Sequence, residues 1–434
     1  MNAYSVLFCL YLAIQVVIAS FLIQPFILLV ISSVGRIFGL HAPRLPATRT
    51  VKQFQFGIIV TAHKETEFIP PIVDSLLKQS YPHFNVYVVA DDCDPEQLHF
   101  SDPRIHILTP PLPLNNQVAS LQFGFDSLTA EDEVLVIFDP DNLVHPDFLE
   151  VLNAWYNKGF RAVQGKLQPK NTDGPYARID GLGNSLSNFT DREMRAMLGL
   201  SACVWGCGIS VHKSVYNNIT FDHKSMTGGF DKHVQADIAK NVPRIAYAQE
   251  ALFYDEKVAD GQNFERQRIR WIAAYFRFLP AALDVWVTGL RKRSFNLMYF
   301  GYNLLRLPYF LLLLLGAVFT ITDWLIDPRI AQIWILVLGL FSLSFLLILT
   351  RENTLGAVVR SICYVPLIFY HQLRALFRIK SAKTSMLKTE HHRVIYIDEI
   401  LDRGMIRFTH DHKAIVASGG SLPAPASNSE NHPV

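Results

Sequence analysis

The chain has 434 residues, of which 50% are hydrophobic and 18% are charged, and its formal net charge is +2. A soluble domain usually has about a quarter charged residues, so the composition indicates membrane segments. A net charge this small says nothing about nucleic acid, and we expect no nucleic-acid partner. The five cysteines are odd in number and form no CxxC pair, which indicates reduced thiols rather than a disulfide scaffold.

Three uncharged stretches predict membrane-spanning helices, because a helix needs about 20 apolar residues to cross a bilayer core. Residues 1–35, 307–322 and 330–350 contain no Asp, Glu, Lys or Arg. The first stretch lacks the basic start and the small-residue cleavage site of a secretory signal peptide. We therefore expect a retained N-terminal anchor and a separate C-terminal membrane region.

The basic residues predict the orientation of these helices. Four of them follow the first stretch between positions 36 and 52, and three more stand at positions 291–293, just before the second stretch. Lys and Arg accumulate on the cytoplasmic side of a membrane. We therefore expect an integral protein of the cell (inner) membrane, with residues 50–290 forming a cytoplasmic domain.

The C-terminal part contains one segment with a mixed pattern. Residues 355–377 are apolar but include two arginines and one histidine, which is typical of an interfacial or re-entrant segment; a further span is the alternative. Ser, Pro, Ala and Asn near the end indicate a disordered tail. The expected divisions are an anchor (1–35), a cytoplasmic domain (50–290), a membrane region (296–378), a cytoplasmic segment (379–416) and the tail (417–434).

The cytoplasmic region alternates between strand and helix patterns. Runs rich in β-branched residues predict strands at 56–61, 85–90, 105–108 and 133–138, and helical spacing predicts helices at 69–79 and 118–128. This alternation predicts an α/β domain around a mostly parallel sheet, which binds ligands beyond the carboxyl ends of its strands. No GxGxxG or GxxxxGK[ST] motif follows any strand, so we expect phosphates to be held through a metal ion.

Carboxylates follow two of the predicted strands. Asp139 and Asp141 come directly after the clearest strand, and Mg²⁺ takes one or two carboxylates together with phosphate oxygens and water. We therefore expect these two residues to hold a cation, and Asp139 also a nucleotide. Asp91 and Asp92 end another strand, where a carboxylate can accept hydrogen bonds from a base or ribose. The alternative for both pairs is a solvated turn.

Asp231 follows two glycines and begins a helical pattern. We expect it to act as a general base, because a hydroxyl is a poor nucleophile unless its proton is removed as it attacks. The alternative is a helix N-cap, a position that Asp often occupies.

The segment Gln267-Arg268-Ile269-Arg270-Trp271 precedes an apolar stretch that we expect to be a helix. Arg binds a diphosphate through two parallel hydrogen bonds, and Trp offers a flat face to a ring-shaped ligand. We expect this segment to bind a diphosphate and an acceptor through Gln267, Arg268, Arg270 and Trp271. Arg and Trp are also common in helices at a membrane interface, and that alternative is compatible with the first.

Together these segments resemble the family 2 glycosyltransferases of the membrane-embedded type, the group that contains the cellulose, chitin and hyaluronan synthases. The shared order is a strand before TAHKE, then VVADD, FDPDN, GGFD and QRIRW, and then membrane spans, from about residue 54 to 350. The resemblance implies a GT-A fold that transfers a sugar from a UDP-sugar with inversion, using Mg²⁺ or Mn²⁺. The acceptor would be a polysaccharide or a lipid-linked glycan at the cytoplasmic face of the membrane.

The resemblance also implies a role for each matching residue. The loop Trp205-Gly-Cys-Gly208 is similar to the family's loop near the acceptor. The implied roles are uridine contacts for Thr61, Glu65, Asp91 and Asp92; metal and diphosphate binding for Asp139 and Asp141; the base for Asp231; diphosphate contacts for Gln267 and Arg270; and a surface beneath the acceptor sugar for Trp271.

The sequence departs from the family pattern at three positions. Phe230 stands before Asp231 where the family usually has Glu, and Gln117 stands where a Lys is common near the nucleotide. Leu387 replaces the aromatic residue that usually precedes the later Lys-Thr motif.

Two rival functions follow from these features. The C-terminal spans are fewer than in the large polymer synthases, which favours a transferase that adds one sugar to a lipid-linked acceptor. The other rival is a membrane scaffold without activity, and the presence of Asp139, Asp141 and Asp231 argues against it. The sequence identifies no export partner.

Overall fold

The computed structural model describes residues 3–38, 51–219, 230–352, 354–380 and 393–402. Leu387 and the Lys-Thr motif, the glycines before Asp231, most of the segment 379–416 and the whole tail 417–434 lie outside the described residues.

Eight of the described strands form one sheet, and the α/β domain is built around it. The strands are β1 (Phe56–His63), β2 (Phe84–Asp91), β3 (Ile105–Leu108), β4 (Val134–Phe138), β5 (Leu143–Val144), β6 (Ala162–Pro169), β7 (Ile209–His212) and β8 (Ala246–Asp255). Their order is β3-β2-β1-β4-β7-β6-β8-β5. The pairings make six strands run in one direction, with β5 and β7 opposed. The predicted α/β class with a mostly parallel sheet is confirmed.

Fifteen α-helices lie within the described residues. They are α1 (Ala3–Ile37), α2 (Ile69–Leu77), α3 (Gln117–Asp126), α4 (Phe148–Asn157), α5 (Gly174–Asn188), α6 (Met194–Met197), α7 (Lys213–Tyr216), α8 (Phe230–Asn241), α9 (Gly261–Arg291), α10 (Phe295–Leu304), α11 (Tyr309–Ile326), α12 (Pro328–Arg351), α13 (Leu355–Val359), α14 (Val365–Phe377) and α15 (Ile397–Asp402). A π-helix, Phe189–Glu193, joins α5 to α6.

Apolar side chains cover both faces of the sheet, because successive residues of a strand point to opposite sides. On β1, Ile58 and Val60 pack with α2 and α4, whereas Ile59 packs with α3, α8 and α10. A sheet covered on both faces exposes its strand ends rather than its surface. Ligands are therefore expected at the carboxyl edge.

Helix α9 differs from the sequence-based expectation. The segment Gln267 to Trp271 was expected to stand before an apolar helix, but it lies inside α9, about two turns from the start. The helix begins earlier because Asp260 caps it, accepting 2.9 Å hydrogen bonds from the backbone N–H groups of Gln262 and Asn263.

Three of the described helices are long and apolar enough to cross a membrane: Ser5–Gly35 within α1, Tyr309–Ile326 and Pro328–Arg351. A buried carboxylate, Asp323, joins them. It accepts hydrogen bonds from Tyr11 Oη (2.7 Å) and Gln15 Nε2 (3.2 Å), and Gln15 Oε1 accepts one from Trp334 Nε1 (2.7 Å). This pairing explains why the second span continues past its expected end at residue 322.

The segment 355–377 forms two short helices, α13 and α14, joined by a 3₁₀ turn at 362–364. At about 1.5 Å per residue, the 13 residues of α14 reach roughly 20 Å, less than the roughly 30 Å of a bilayer core. Glu265 of α9 holds this helix through Arg378 (2.9 Å), His371 (3.3 Å) and Arg374 (3.5 Å). The interfacial position of the segment stays a prediction.

Candidate active site

The carboxyl ends of six strands meet at one edge of the sheet. His63 is in register with Asp91, Val60 with Phe138, and Pro169 with Asp255. The residues that follow these positions therefore lie along the same edge. Thr61, Asp91 and Asp139, which come from three predicted strand ends, are brought together here.

Asp91 is fully buried, and its carboxylate already contacts the loop before α3 and the side chain of His63. Its carboxylate accepts hydrogen bonds from the backbone N–H groups of Leu114 (2.7 Å) and Asn115 (3.0 Å), and it lies 2.8 Å from Nδ1 of His63. The loop before α3 is thereby fixed against β2. A uridine contact by Asp91 stays a prediction, and the structure adds this positioning role.

The two residues after β1 and β2 adopt a left-handed backbone. Lys64 has φ 59° and Asp92 has φ 55°, a conformation that is uncommon for side chains other than Gly, Asn and Asp. Lys64 Nζ lies 3.2 Å from the Asp92 carboxylate. The backbone strain at Lys64 is of a kind that clusters at ligand sites. The nucleotide role of Asp92 stays a prediction.

Thr61 and Glu65 border the same edge. The Oγ1 atom of Thr61 is buried and has no hydrogen-bond partner among the described residues. A buried polar atom without a partner is costly, so Thr61 is well placed to bind a ligand. Glu65 stands just before a 3₁₀ turn at 66–68.

Asp139 and Asp141 are set in a network of amides. Asn142 Oδ1 accepts a hydrogen bond from the Asp139 N–H (3.1 Å), and Gln117 Nε2 donates to Asp139 Oδ1 (3.0 Å). The Asp141 side chain is 4% exposed and accepts a hydrogen bond from the Glu256 N–H (3.3 Å). Gln117, expected near the nucleotide in place of a Lys, thus contacts the candidate metal ligand directly.

The two aspartates fit a cation that brings most of its own ligands. Among the described residues, no group of three or more His, Cys, Asp or Glu side chains forms a metal cage. Mg²⁺ is bound by one or two carboxylates and completes its shell with phosphate oxygens and water, and Mn²⁺ also prefers oxygen ligands. Asp139 and Asp141 supply such a donor set.

Arg270 connects α9 to this edge. Burial lowers the pKa of its guanidinium, and the nearby carboxylates of Asp139 and Glu65 act in the opposite direction. An Arg remains protonated in proteins, so it offers fixed positive charge beside the candidate metal ligands. One turn earlier, the Oε1 atom of Gln267 is buried without a hydrogen-bond partner among the described residues.

Arg268 has a partner that the sequence did not predict. It forms an ion pair with the buried carboxylate of Asp180 in α5, and Lys257 Nζ lies 3.8 Å from the same carboxylate. Burial raises the pKa of Asp180, but the charges of Arg268 and Lys257 outweigh it and the pKa is lowered. Arg268 thus fixes α9 to α5, and its role toward a diphosphate or acceptor stays a prediction.

A third acidic strand end was not predicted from the sequence. Asp255 ends β8 and Glu256 follows it, beside Asp141. Asn142 Nδ2 donates a hydrogen bond to Asp255 (3.2 Å), and Lys257 Nζ donates another (2.7 Å). The signal was present, because Asp255-Glu256-Lys257 follows the apolar run 251–254 just as Asp139 follows its strand.

Lys170 is a further missed residue at this edge. It is fully buried, and its Nζ donates to the backbone carbonyl of Asp141 at 3.2 Å. Burial lowers the pKa of Lys170, against the effect of Asp141, Glu256 and Asp255. The site thus contains a buried lysine beneath its acidic strand ends.

The Trp205–Gly208 loop lies beside the aspartates. Gly208 has φ 62°, and a Cβ atom there would stand 2.1 Å from the ring of Phe253, so only glycine fits. Burial raises the pKa of the Cys207 thiol well above its ordinary value, and the charges of Asp139, Asp255 and Asp141 raise it further. The glycine thus allows the loop to approach the acidic strand ends.

Asp231 lies in the first turn of α8, because the helix begins at Phe230. It is therefore not the N-cap that was considered as the alternative, and an acidic residue in a first turn interacts favourably with the helix dipole. Lys232 Nζ stands 3.8 Å from its carboxylate. The helix packs against α9.

Trp271 follows Arg270 on α9 and is 43% exposed. The guanidinium of Arg268 lies 4.2 Å from the centre of its ring, which fixes one face by a cation–π contact. An exposed aromatic side chain held in one orientation is suited to stacking on a sugar.

Comparisons with known proteins give the following matches. Residues 54–274, just over half of the chain, match the family model described as Glycosyltransferase like family 2. The mannosyltransferase PcManGT from Pyrobaculum calidifontis, solved with GDP-Man and Mn²⁺, is 13% identical, with 85% of this chain and 98% of that chain covered and a TM-score of 0.49.

S. aureus TarS also matches. Its 1-349 fragment is 15% identical, with 78% of this chain and 93% of that chain covered and a TM-score of 0.39. The longer TarS structure is 13% identical, with a TM-score of 0.35. The match covers 58% of this chain and 55% of the TarS chain, so the present chain spans only about half the length of that relative. Among curated protein sequences, none matches the chain.

Proposed function

We propose that this chain, which belongs to the family Glycosyltransferase like family 2, is an inverting, metal-dependent hexosyltransferase. The donor is a nucleotide diphosphate sugar, and by the resemblance of its motifs a UDP-sugar. The acceptor is a polysaccharide or a lipid-linked glycan at the cytoplasmic face of the cell (inner) membrane. The GT-A type of α/β fold carries this site beside three candidate membrane spans.

The observation that carries the proposal is the position of Arg270 beside Asp139 and Glu65. These residues come from α9, from the end of β4 and from the loop after β1. A fixed guanidinium next to Asp139, a candidate metal ligand, is an arrangement that recognises a diphosphate. A scaffold without activity would not need this partly buried group of opposite charges at the strand edge.

The donor's diphosphate is the leaving group in this proposal. A divalent cation, held by Asp139 and Asp141, would neutralise the charge that develops on it. Arg270 contributes a permanent positive charge at the same place. The unpartnered amide oxygen of Gln267 can accept a hydrogen bond from a sugar hydroxyl beside the diphosphate. Thr61, Glu65, Asp91 and Asp92 border the region in which the nucleoside lies.

Transfer then requires removal of one proton. Asp231 accepts the proton of the acceptor hydroxyl while the oxygen attacks the anomeric carbon. The bond from that carbon to the diphosphate oxygen breaks, and its electron pair leaves with the nucleoside diphosphate. Attack from the face opposite the leaving group inverts the configuration. Trp271 holds the acceptor sugar by stacking.

The test is a donor screen with detergent-solubilised full-length protein. UDP-sugars and GDP-sugars are supplied with Mg²⁺, with Mn²⁺ or with neither, and the released nucleoside diphosphate and the product masses are measured. We expect turnover of one donor class only when a metal is present. Absence of turnover with every donor would favour the scaffold instead.

Asp139→Asn and Asp141→Asn extend this test to the metal site. Each should abolish transfer and weaken nucleotide binding in the presence of metal, because the cation loses a charged ligand. The melting temperature should change little in Asp139→Asn and somewhat more in Asp141→Asn, whose carboxylate accepts the Glu256 N–H. Glu131→Gln, at an exposed position, is the control. Turnover near that of the unmodified protein in either variant would contradict the metal assignment.

A further inference from the structure

A cavity of about 140 Å³ is lined by polar and apolar side chains, among them Arg306, which stands just before the candidate span α11. Its walls come from the π-helix, the loop before β7, α8, α9 and the end of α10, and they include Arg192, Trp205, Lys232, Gln235 and Arg306. A single water needs about 10 to 15 Å³ by this kind of measure. The cavity therefore has room for a group considerably larger than water.

The charge around this cavity is positive. Arg192 and Arg195 are 2% and 0% exposed, and Arg306 is held by Asp191 through two hydrogen bonds of 2.9 and 2.8 Å. Burial raises the pKa of Asp191, but the three arginines outweigh it and the pKa lies below its ordinary value. One carboxylate thus faces three guanidiniums, and the Lys232 ammonium lies at the wall.

The unsatisfied polar atoms around the cavity include several hydrogen-bond donors. Nε of Arg192, Nε1 of Trp205 and Nε2 of Gln235 are buried and have no acceptor among the described residues. The guanidinium of Arg192 lies 3.6 Å from the centre of the Trp205 ring, which holds both groups in place. Buried donors are normally paired. Donors without acceptors, in a positive environment, indicate a missing anion.

The walls of the cavity include residues next to a candidate span and a residue next to the candidate base. Arg306 stands in the short link before α11, a candidate span, and the nearby Asn303 Oδ1 accepts a 2.8 Å hydrogen bond from Gln24 of α1. Lys232, which also lines the cavity, lies beside Asp231. A ligand that reaches from the candidate spans to the base would pass the cavity.

We propose that this cavity binds the phosphate or diphosphate that links an acceptor sugar to its lipid, so that the acceptor is an anionic, lipid-linked glycan. The inference rests on the proposed function and selects one of its two acceptor classes. The lipid chain would leave beside Arg306 toward the spans, and the sugar would extend toward Asp231. The oxygens of a neutral polymer could accept hydrogen bonds from these donors, but a neutral polymer has no negative charge to offset the buried guanidiniums.

Binding of farnesyl diphosphate, farnesol and inorganic diphosphate to the full-length protein in detergent tests this proposal. We expect farnesyl diphosphate to bind at least tenfold more tightly than either of the others, since it alone has both the anion and the lipid chain. Equal binding of farnesol would mean that the cavity holds water only. Equal binding of inorganic diphosphate would indicate a soluble anion. Either result would overturn the proposal.

Two variants locate the binding. Arg192→Gln and Lys232→Gln should each remove most of the preference for farnesyl diphosphate over farnesol, while the exposed-site control Arg161→Gln should keep it. Lys232 is exposed enough for its variant to fold even if Arg192→Gln does not. An unchanged preference in Lys232→Gln and in any folded Arg192→Gln would overturn the assignment.

Donor hydrolysis in the same preparations separates this proposal from the proposed function. Both variants should still release nucleoside diphosphate slowly from the donor, because neither belongs to the strand edge. Loss of lipid preference with intact hydrolysis supports the cavity as an acceptor site. A preference for the lipid diphosphate in a protein that turns over no donor would leave the cavity assignment standing and reject the transferase.

Discussion

At the scale of single residues, the candidate side chains differ in how much of their binding capacity is already used. The Asp91 carboxylate is occupied by two backbone N–H groups and lies beside His63, and Arg268 is paired with Asp180. Thr61 and Gln267, by contrast, retain buried polar atoms without partners among the described residues. Asp91 and Arg268 therefore position the elements around the site, whereas Thr61 and Gln267 are suited to contact a ligand.

Asp231→Asn tests the base. We expect transfer to fall by about 10²-fold or more, the scale of general base catalysis, while binding of metal and nucleotide remains, because the change leaves the strand edge intact. Asp237→Asn on the same helix, where the carboxylate pairs with Lys240 at 3.1 Å, is the matched control. Turnover is measured by release of nucleoside diphosphate. Normal turnover in Asp231→Asn would contradict the base assignment and leave Asp231 only a stabilising role in the first turn of α8.

Trp271→Ala tests the acceptor surface. We expect donor binding and slow hydrolysis to water to survive while transfer to a glycan collapses, since the ring supplies stacking and no charge. Phe276→Ala, on the same helix and 44% exposed, controls for the loss of an aromatic side chain. Product masses and released nucleotide are compared. Equal loss of hydrolysis and transfer would mean that Trp271 only supports the fold, and unchanged transfer would make it an interfacial anchor.

At the scale of elements, α9 connects the candidate active site to the helices near the candidate spans. Its first half carries Gln267 to Trp271, and its Glu265 binds three basic side chains of the α14 segment. On the other side, Leu186 and Phe189, at the end of α5 and in the π-helix, pack among residues of the candidate spans. The motif is thus held between the strand edge and these helices.

The docking of α14 should depend on pH and on Glu265. Burial raises the pKa of Glu265, but Arg378, His371 and Arg374 outweigh it, so the pKa lies below its ordinary value. The stabilisation is therefore complete above about pH 4.3, the ordinary value for Glu, and is lost as the pH falls through the lowered pKa. The hydrogen-exchange protection of residues 365–377, taken relative to the intrinsic rate at each pH, should be high at pH 7 and should fall only in acid.

Glu265→Gln should reproduce the acid state at pH 7. We expect α14 to lose about 2 kcal/mol of docking free energy, the value of a hydrogen bond to a charged group, with faster exchange of residues 365–377. Asp284→Asn, an exposed carboxylate of α9 paired with Lys240, is the control. Unchanged exchange in Glu265→Gln would show that apolar packing alone holds α14.

At the scale of the whole molecule, three candidate spans and a cytoplasmic domain predict an external N-terminus and an external link between α11 and α12. Leu325→Cys, at a position 83% exposed beside that link, should react with a membrane-impermeant maleimide in intact cells or spheroplasts. Leu112→Cys, 75% exposed in the cytoplasmic domain, should react only after permeabilisation. Cys9 and Cys363 are exposed and are first replaced by Ser. The opposite labelling pattern would show that the protein has the reverse orientation in the membrane.

Local patterns in the sequence determined the elements of this protein. Strands β1 to β4 were predicted because β-branched runs mark buried strands, and the spans because about 20 uncharged residues suffice to cross a bilayer. Parallel strands also bring their carboxyl ends to one edge, so the meeting of Thr61, Asp91 and Asp139 could be predicted without coordinates. The later strands β5 to β8 were not predicted. Strands β5 and β7 are short and β6 contains polar residues, whereas β8 has an apolar run at 251–254 that could have identified it.

Tertiary structure alone decided which side chains are partners. Asp180 and Arg268 are 88 positions apart, and Asp191 and Arg306 are 115 apart, so no periodicity relates them. Nothing in the sequence distinguishes the buried Arg192 and Arg195 from exposed arginines in a helix, because burial is a property of the packed molecule. The sequence determines where charge stands along the chain. Packing decides whether water, a carboxylate or a ligand must neutralise it.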